Sequence, residues 1–173
     1  MRYKELCYAA LGAAVTCVLA PISIPIGAVP VTLSLFAVLL ISGILPTRLA
    51  LPALLCYIAL GAVGVPVFAG FVGGFQILAG PTGGFIIGYL PAAILVPLSR
   101  QNKAKNAFFM VFSTILCYFI GSLWLSFSTE SNFGATLASV ALSCAIPDAL
   151  KIAAALLIST SVRSRLISAG TRL

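Results

Sequence analysis

The sequence predicts an all-α integral membrane protein with six transmembrane helices and both termini cytoplasmic. Three observations carry this. The 173 residues are 61% hydrophobic and only 8% charged, whereas soluble domains carry roughly 25% charged residues. So few charges cannot cover a surface facing water. The charges are also clustered: none falls between Leu6 and Thr47, and none between Leu49 and Ser99. A helix that crosses a membrane needs about 20 mostly apolar residues, so each charge-free stretch has room for two spans. Finally, nine of the ten Lys and Arg residues are Arg2, Lys4, Arg48, Arg100, Lys103, Lys105, Arg163, Arg165 and Arg172, all on one side of an alternating topology. The intervening segments 21–30, 65–82 and 128–134 hold no Lys or Arg. Basic residues stay in the cytoplasm, which fixes the orientation and makes the number of spans even.

The spans fall at about 6–20, 31–47, 49–64, 83–99, 107–127 and 135–161. They form a single membrane domain over residues 1–173. The first begins basic and then turns apolar, as a signal peptide does. It has no compact apolar region set apart by a small-residue cleavage site, so it reads as a retained helix. Ala9 and Ala13, and Ala10 and Ala14, form two pairs of small residues four apart. Such pairs let helix backbones approach closely, either inside this bundle or against a partner membrane subunit. The early spans are short, which is consistent with tilted or bent helices.

The outer segments 21–30 (PISIPIGAVP) and 65–82 (VPVFAGFVGGFQILAGPT) are apolar yet rich in Pro and Gly. Solvated loops are usually polar, and irregular apolar backbone at membrane depth needs protein or a cavity to satisfy it. These segments are expected to fold over the bundle as a lid; the alternative is an apolar loop lying among the headgroups. In the last span stand Asp148 and Lys151, the two of the thirteen charged residues that lie within a span. Their spacing puts them on one helix face. Either charge alone costs about 2.5–3.5 kcal/mol at the centre of a membrane helix. The pair is thus an internal salt bridge or, as intramembrane charges usually are, part of a functional site. Asp accepts hydrogen bonds from amide or urea N–H groups and Lys donates to carbonyl or carboxylate oxygens. Pro147 removes a backbone donor beside the pair and is expected to kink the helix. Phe36, Phe68, Phe71, Phe75, Phe85 and Tyr89 offer apolar surface, and Gln76 a further polar contact.

Several function classes are disfavoured. The +7 net charge is spread over topology signals and forms no compact patch with interleaved aromatics, so nucleic acid is not an expected partner. The chain has no His, the commonest general base and metal ligand. Cys7, Cys17, Cys56, Cys117 and Cys144 form no CxxC pair and read as small packing residues. No Walker A, GxSxG or HExxH motif occurs. Neither enzymatic activity nor a metal is expected. A stand-alone secondary carrier, with the Asp148–Lys151 pair responding to protons, is the competing transport reading, although no internal repeat is evident.

Three stretches carry a family resemblance. PISIPIGAVPVTLSLFAVLLISGIL, ALGAVGVPVFAGFVGGFQILAGPTGGFIIGY and PDALK resemble the BioY family over essentially the whole chain, the central block being the most specific. The resemblance implies a biotin-binding S component of an energy-coupling-factor (ECF) transporter, in the bacterial cytoplasmic membrane and surrounded by lipid. Its partners would be a coupling transmembrane subunit and two ATPase subunits; ATP would bind only those ATPases, and this chain would need no cofactor. Ala9, Ala10, Ala13 and Ala14 would meet the coupling subunit. Asp148 and Lys151 would hold polar groups of biotin through its ureido ring. Thr32, Gln76 and Tyr89 would lie near the same cavity, with Phe36 and Phe75 in its apolar lining. The chain departs from the family pattern at Ser34, where Gln is frequent, and at Phe85, where Tyr is. The departures touch selectivity, for instance toward a biotin precursor.

Overall fold

A computed structural model describes residues 3–25, 30–99 and 102–168, with the side chain of residue 167 excepted. Arg2, Arg100, Arg172 and part of the first outer segment lie outside the described residues. Among the described residues there are eight α-helices: α1 (Tyr3–Leu19), α2 (Ser34–Ile44), α3 (Thr47–Val63), α4 (Phe75–Ala79), α5 (Gly83–Ile87), α6 (Leu90–Leu95), α7 (Lys103–Thr129) and α8 (Phe133–Ser168). Strand structure among the described residues is confined to β1 (Ser23–Ile24) and β2 (Val31–Thr32), paired antiparallel, and an isolated bridge between Phe68 and Val72. The all-α class predicted from composition is the class observed.

Helix lengths vary widely. α8 has 36 residues and α7 has 27, or about 54 and 40 Å at 1.5 Å per residue. Both exceed the roughly 30 Å hydrocarbon core, and both are long and apolar enough to cross it. α2 has only 11 residues, about 16 Å. The fourth expected span, 83–99, is broken into α5, α6 and a 3-10 turn, Val96–Ser99. Pro91 sits in the first turn of α6 and Pro97 in the 3-10 turn. Proline lacks the helical N–H and crowds the preceding turn, so one continuous helix does not form there. Pro147, by contrast, is accommodated within α8, which continues on both sides of it.

The helices close into a ring in the order α1, α3, α6, α7, α8, α2. Tyr57, Phe68, Leu39, Met110, Val96 and Val140 fill its centre, with the Tyr57 and Phe68 rings edge to face at 5.7 Å. α5 lies close against α7 because small residues allow it. A side chain on Gly84 would meet Trp124, and one on Gly121 would meet the Phe85 ring. At the predicted cytoplasmic end, Arg48 on α3 pairs with Glu5 on α1 at 3.1 Å. Asn102 caps α7 there, its side chain accepting from the backbone N–H groups of Ala104 and Lys105.

At the other end, the two Pro- and Gly-rich segments are tied together. The Gly70 N–H donates to the Pro21 carbonyl at 2.9 Å. The second segment is also anchored to α7, where the Trp124 indole N–H donates to the Gly80 carbonyl at 2.9 Å. Val67 and Phe68 point into the core while Phe71 and Phe75 are exposed. The 65–82 segment is thus apolar because part of it is core, and irregular because its backbone turns at Gly70 and Gly74, both with positive φ.

Candidate ligand-binding site

Between these segments and the helices lies a cavity of about 180 Å³. Its walls come from β2 (Val31, Thr32), α2 (Ser34, Leu35), α3 (Tyr57), the 65–82 segment (Phe68, Val72, Ile77), α5 (Phe85, Ile86), Tyr89, α7 (Cys117, Tyr118) and α8 (Val140, Cys144, Asp148, Lys151). Most of this lining is apolar or aromatic, and the polar groups gather at two places.

The first is the α8 pair. Lys151 Nζ donates to Asp148 Oδ1 at 2.6 Å. Tyr118, from α7, donates its hydroxyl to Asp148 Oδ2 at 2.5 Å. The side chains of Asp148 and Lys151 are only 8% and 11% exposed. The spacing of three residues on α8 brings them together, and the close contact of α7 with α8 adds Tyr118. A carboxylate offers about four lone-pair sites and an ammonium three N–H donors. With these bonds made, the centre still has acceptor and donor capacity for a bound molecule. The second polar group is a set of hydroxyls. The hydroxyls of Tyr57, Tyr89, Thr32 and Ser34 all belong to residues that line the cavity. Ser34 donates to the Ala20 carbonyl at 3.2 Å. Among the described residues, Lys151 is the only cation lining the cavity, and no cluster suited to a metal ion occurs.

The structure therefore brings four of the expected ligand residues, Asp148, Lys151, Thr32 and Tyr89, to one cavity. It does not bring Gln76, Phe36 and Phe75 there. Gln76 is exposed and its amide donates back to the Gly73 carbonyl at 3.5 Å. Phe75, beside it on α4, is 70% exposed; Ile77 is the α4 residue that faces the cavity. Phe36 is two residues beyond Ser34 on α2, about 200° around the helix, and packs against the core from another side. Sequence reasoning gave no role to Tyr118, Tyr57 or Thr82. For Tyr118 a signal existed: a tyrosine in the middle of a long apolar span, away from the interface where tyrosines collect, has a hydroxyl that needs a partner.

The four-alanine face of α1 divides. Ala9 and Ala13 are buried against the rest of the bundle, while Ala10 and Ala14 are exposed. Adjacent residues are 100° apart on a helix, so the two pairs form separate rows, and the Ala9–Ala13 row is occupied by packing within this chain.

Comparison with known proteins agrees with this architecture. A family model described as the BioY family matches residues 1–168. The protein named Biotin transporter BioY2 from Lactococcus lactis subsp. cremoris is 42% identical over 132 residues, covering 74% of this chain and 72% of that protein. The protein named Probable biotin transporter BioY from Pyrococcus horikoshii is 38% identical over 159 residues, covering 92% of this chain and 96% of that one. Among solved structures, the S-component for biotin from an ECF-type ABC transporter superimposes with a TM-score of 0.86 at 26% identity, over 93% of this chain and 91% of that one. With a ring of apolar helices around a buried acid–base pair, and a family match along nearly its whole length, this chain is a membrane protein that belongs to the BioY family.

Proposed function

We propose that this chain is the biotin-binding, substrate-specificity subunit of an ECF-type uptake transporter in the cytoplasmic membrane. It works with a coupling transmembrane subunit and two ATPase subunits, and ATP binds only the latter. The observation that carries the ligand reading is the cavity built around Asp148 and Lys151. A cyclic urea has N–H donors for the carboxylate and a carbonyl oxygen for the ammonium, and the bicyclic body and valeryl chain of biotin suit the apolar lining. The names carried by the similar proteins support the same ligand. The segments 21–30 and 65–82 act as the cover on the outer side, and the chain binds and releases biotin without altering it.

The test is equilibrium binding of biotin to the detergent-solubilised protein, with Asp148→Asn and Lys151→Ala alongside. Wild type is expected to bind tightly. Each variant is expected to lose several kcal/mol, because removing one partner leaves the other charge buried and unpaired. Wild type that fails to bind biotin would overturn the substrate; variants that bind like wild type would overturn the site and leave the substrate standing.

A further inference from the structure

We infer that Tyr118 is a positioning residue for the ligand centre, fixing Asp148 from the neighbouring helix so that the Asp148–Lys151 pair is preset to receive a ligand. This deepens the biotin reading and rests on it. The geometry is that of a clamp with two sides. Lys151 holds Oδ1 from within α8 at 2.6 Å, and Tyr118 holds Oδ2 from α7 at 2.5 Å. Held by Lys151 alone, the carboxylate could turn about its own bond and draw both oxygens toward the ammonium, consuming the capacity a ligand needs. A second, opposed donor prevents that. Ordering the group before the ligand arrives removes part of the cost of binding.

The chemistry of the second donor matters. An Arg or Lys in place of Tyr118 would leave the centre with a net positive charge at membrane depth, where an uncompensated charge is expensive. A phenol supplies one O–H donor and no charge. The nearby thiols do not substitute for it. The Cys117 S–H is directed to the Phe85 carbonyl at 3.6 Å, and thiols are weak donors in any case.

Two measurements test this. The first needs no ligand: the melting midpoint of the solubilised protein is recorded for wild type, Tyr118→Phe, Asp148→Ala and the double variant. Non-additivity is expected. Tyr118→Phe should lower the midpoint when Asp148 is present and change it little when Asp148 is Ala. The second compares the affinity for biotin with that for a biotin analogue methylated on the ureido nitrogens. Tyr118→Phe should shrink the preference for biotin by about tenfold, the scale of one hydrogen bond to a charged group. A purely structural role for Tyr118 would weaken both ligands equally and leave their ratio unchanged. Additive midpoints, or an unchanged ratio, would overturn the inference. If wild type binds neither ligand, the biotin reading falls, and the melting cycle alone decides whether Tyr118 holds Asp148. Should Tyr118→Phe not fold, Tyr118→Met serves in the same cycle.

Discussion

At the scale of single residues, the ligand centre sets a stability problem. Asp148 and Lys151 are nearly buried, and a buried ion pair is seldom the most stable way to fill such a space. Removing one partner strands the other, whereas replacing both with apolar groups of similar size is often neutral or stabilising. The double variant Asp148→Leu with Lys151→Met is therefore expected to melt above either single variant, by several degrees in a thermal scan in detergent, and to bind no biotin. A double variant that melts below both singles would mean that the pair is retained for stability. The same contrast explains what was legible in the sequence. A charge inside an apolar run stands out whatever the fold, so Asp148 and Lys151 could be singled out from their surroundings alone. A phenol in an apolar run signals only that its hydroxyl needs a partner; that Tyr118 finds Asp148 is decided by the approach of α7 to α8.

At the scale of elements, glycine positions control the cavity wall. Phe85 lines the cavity, and its ring rests where a side chain on Gly121 would be. Gly121→Val is expected to push Phe85 off α7 and into the cavity. Overpacking of this kind costs about 1–3 kcal/mol, and the intruding ring should weaken biotin binding by more than it lowers the melting midpoint would suggest. Binding and melting measured together on Gly121→Val check this; full affinity with a lowered midpoint would show that Phe85 finds room elsewhere. The elements also show where sequence patterns lose their grip. Long apolar runs announced α7 and α8, and the prolines of 83–99 explain why that span is broken. In the 65–82 segment, however, neither a 3.6-residue nor a 2-residue period operates for long enough to orient side chains. Whether Phe75, Gln76 or Ile77 faces inward is decided by the turns at Gly70 and Gly74, both with positive φ, and by the bond from Trp124 to Gly80. That is why Gln76 and Phe75 could be expected in the cavity and lie on its outside.

At the scale of the whole molecule, one alanine row of α1 is buried in the bundle and the other lies on its surface, where the proposed coupling subunit would dock. Ala9→Leu or Ala13→Leu is expected to force α1 away from the bundle and lower the yield of folded protein. Ala10→Leu with Ala14→Trp should leave folding and biotin binding intact, because both positions are on the surface, while abolishing co-purification with the coupling subunit. Equal retention of that subunit by wild type and the surface variant would place the partner contact elsewhere. The orientation rests on the same global view: the basic residues mark one end of the ring, and the hydrogen-bonded outer segments and the cavity lie toward the other. One detail of that outer end gives the protein an optical property. Trp124 is its single tryptophan, and the indole is bonded to the very segment that covers the cavity. All of the intrinsic indole emission thus originates beside the cover. Biotin that shifts the position of Gly80 should displace the emission maximum with no label attached, and a titration in a fluorimeter would report cover movement and occupancy in one trace.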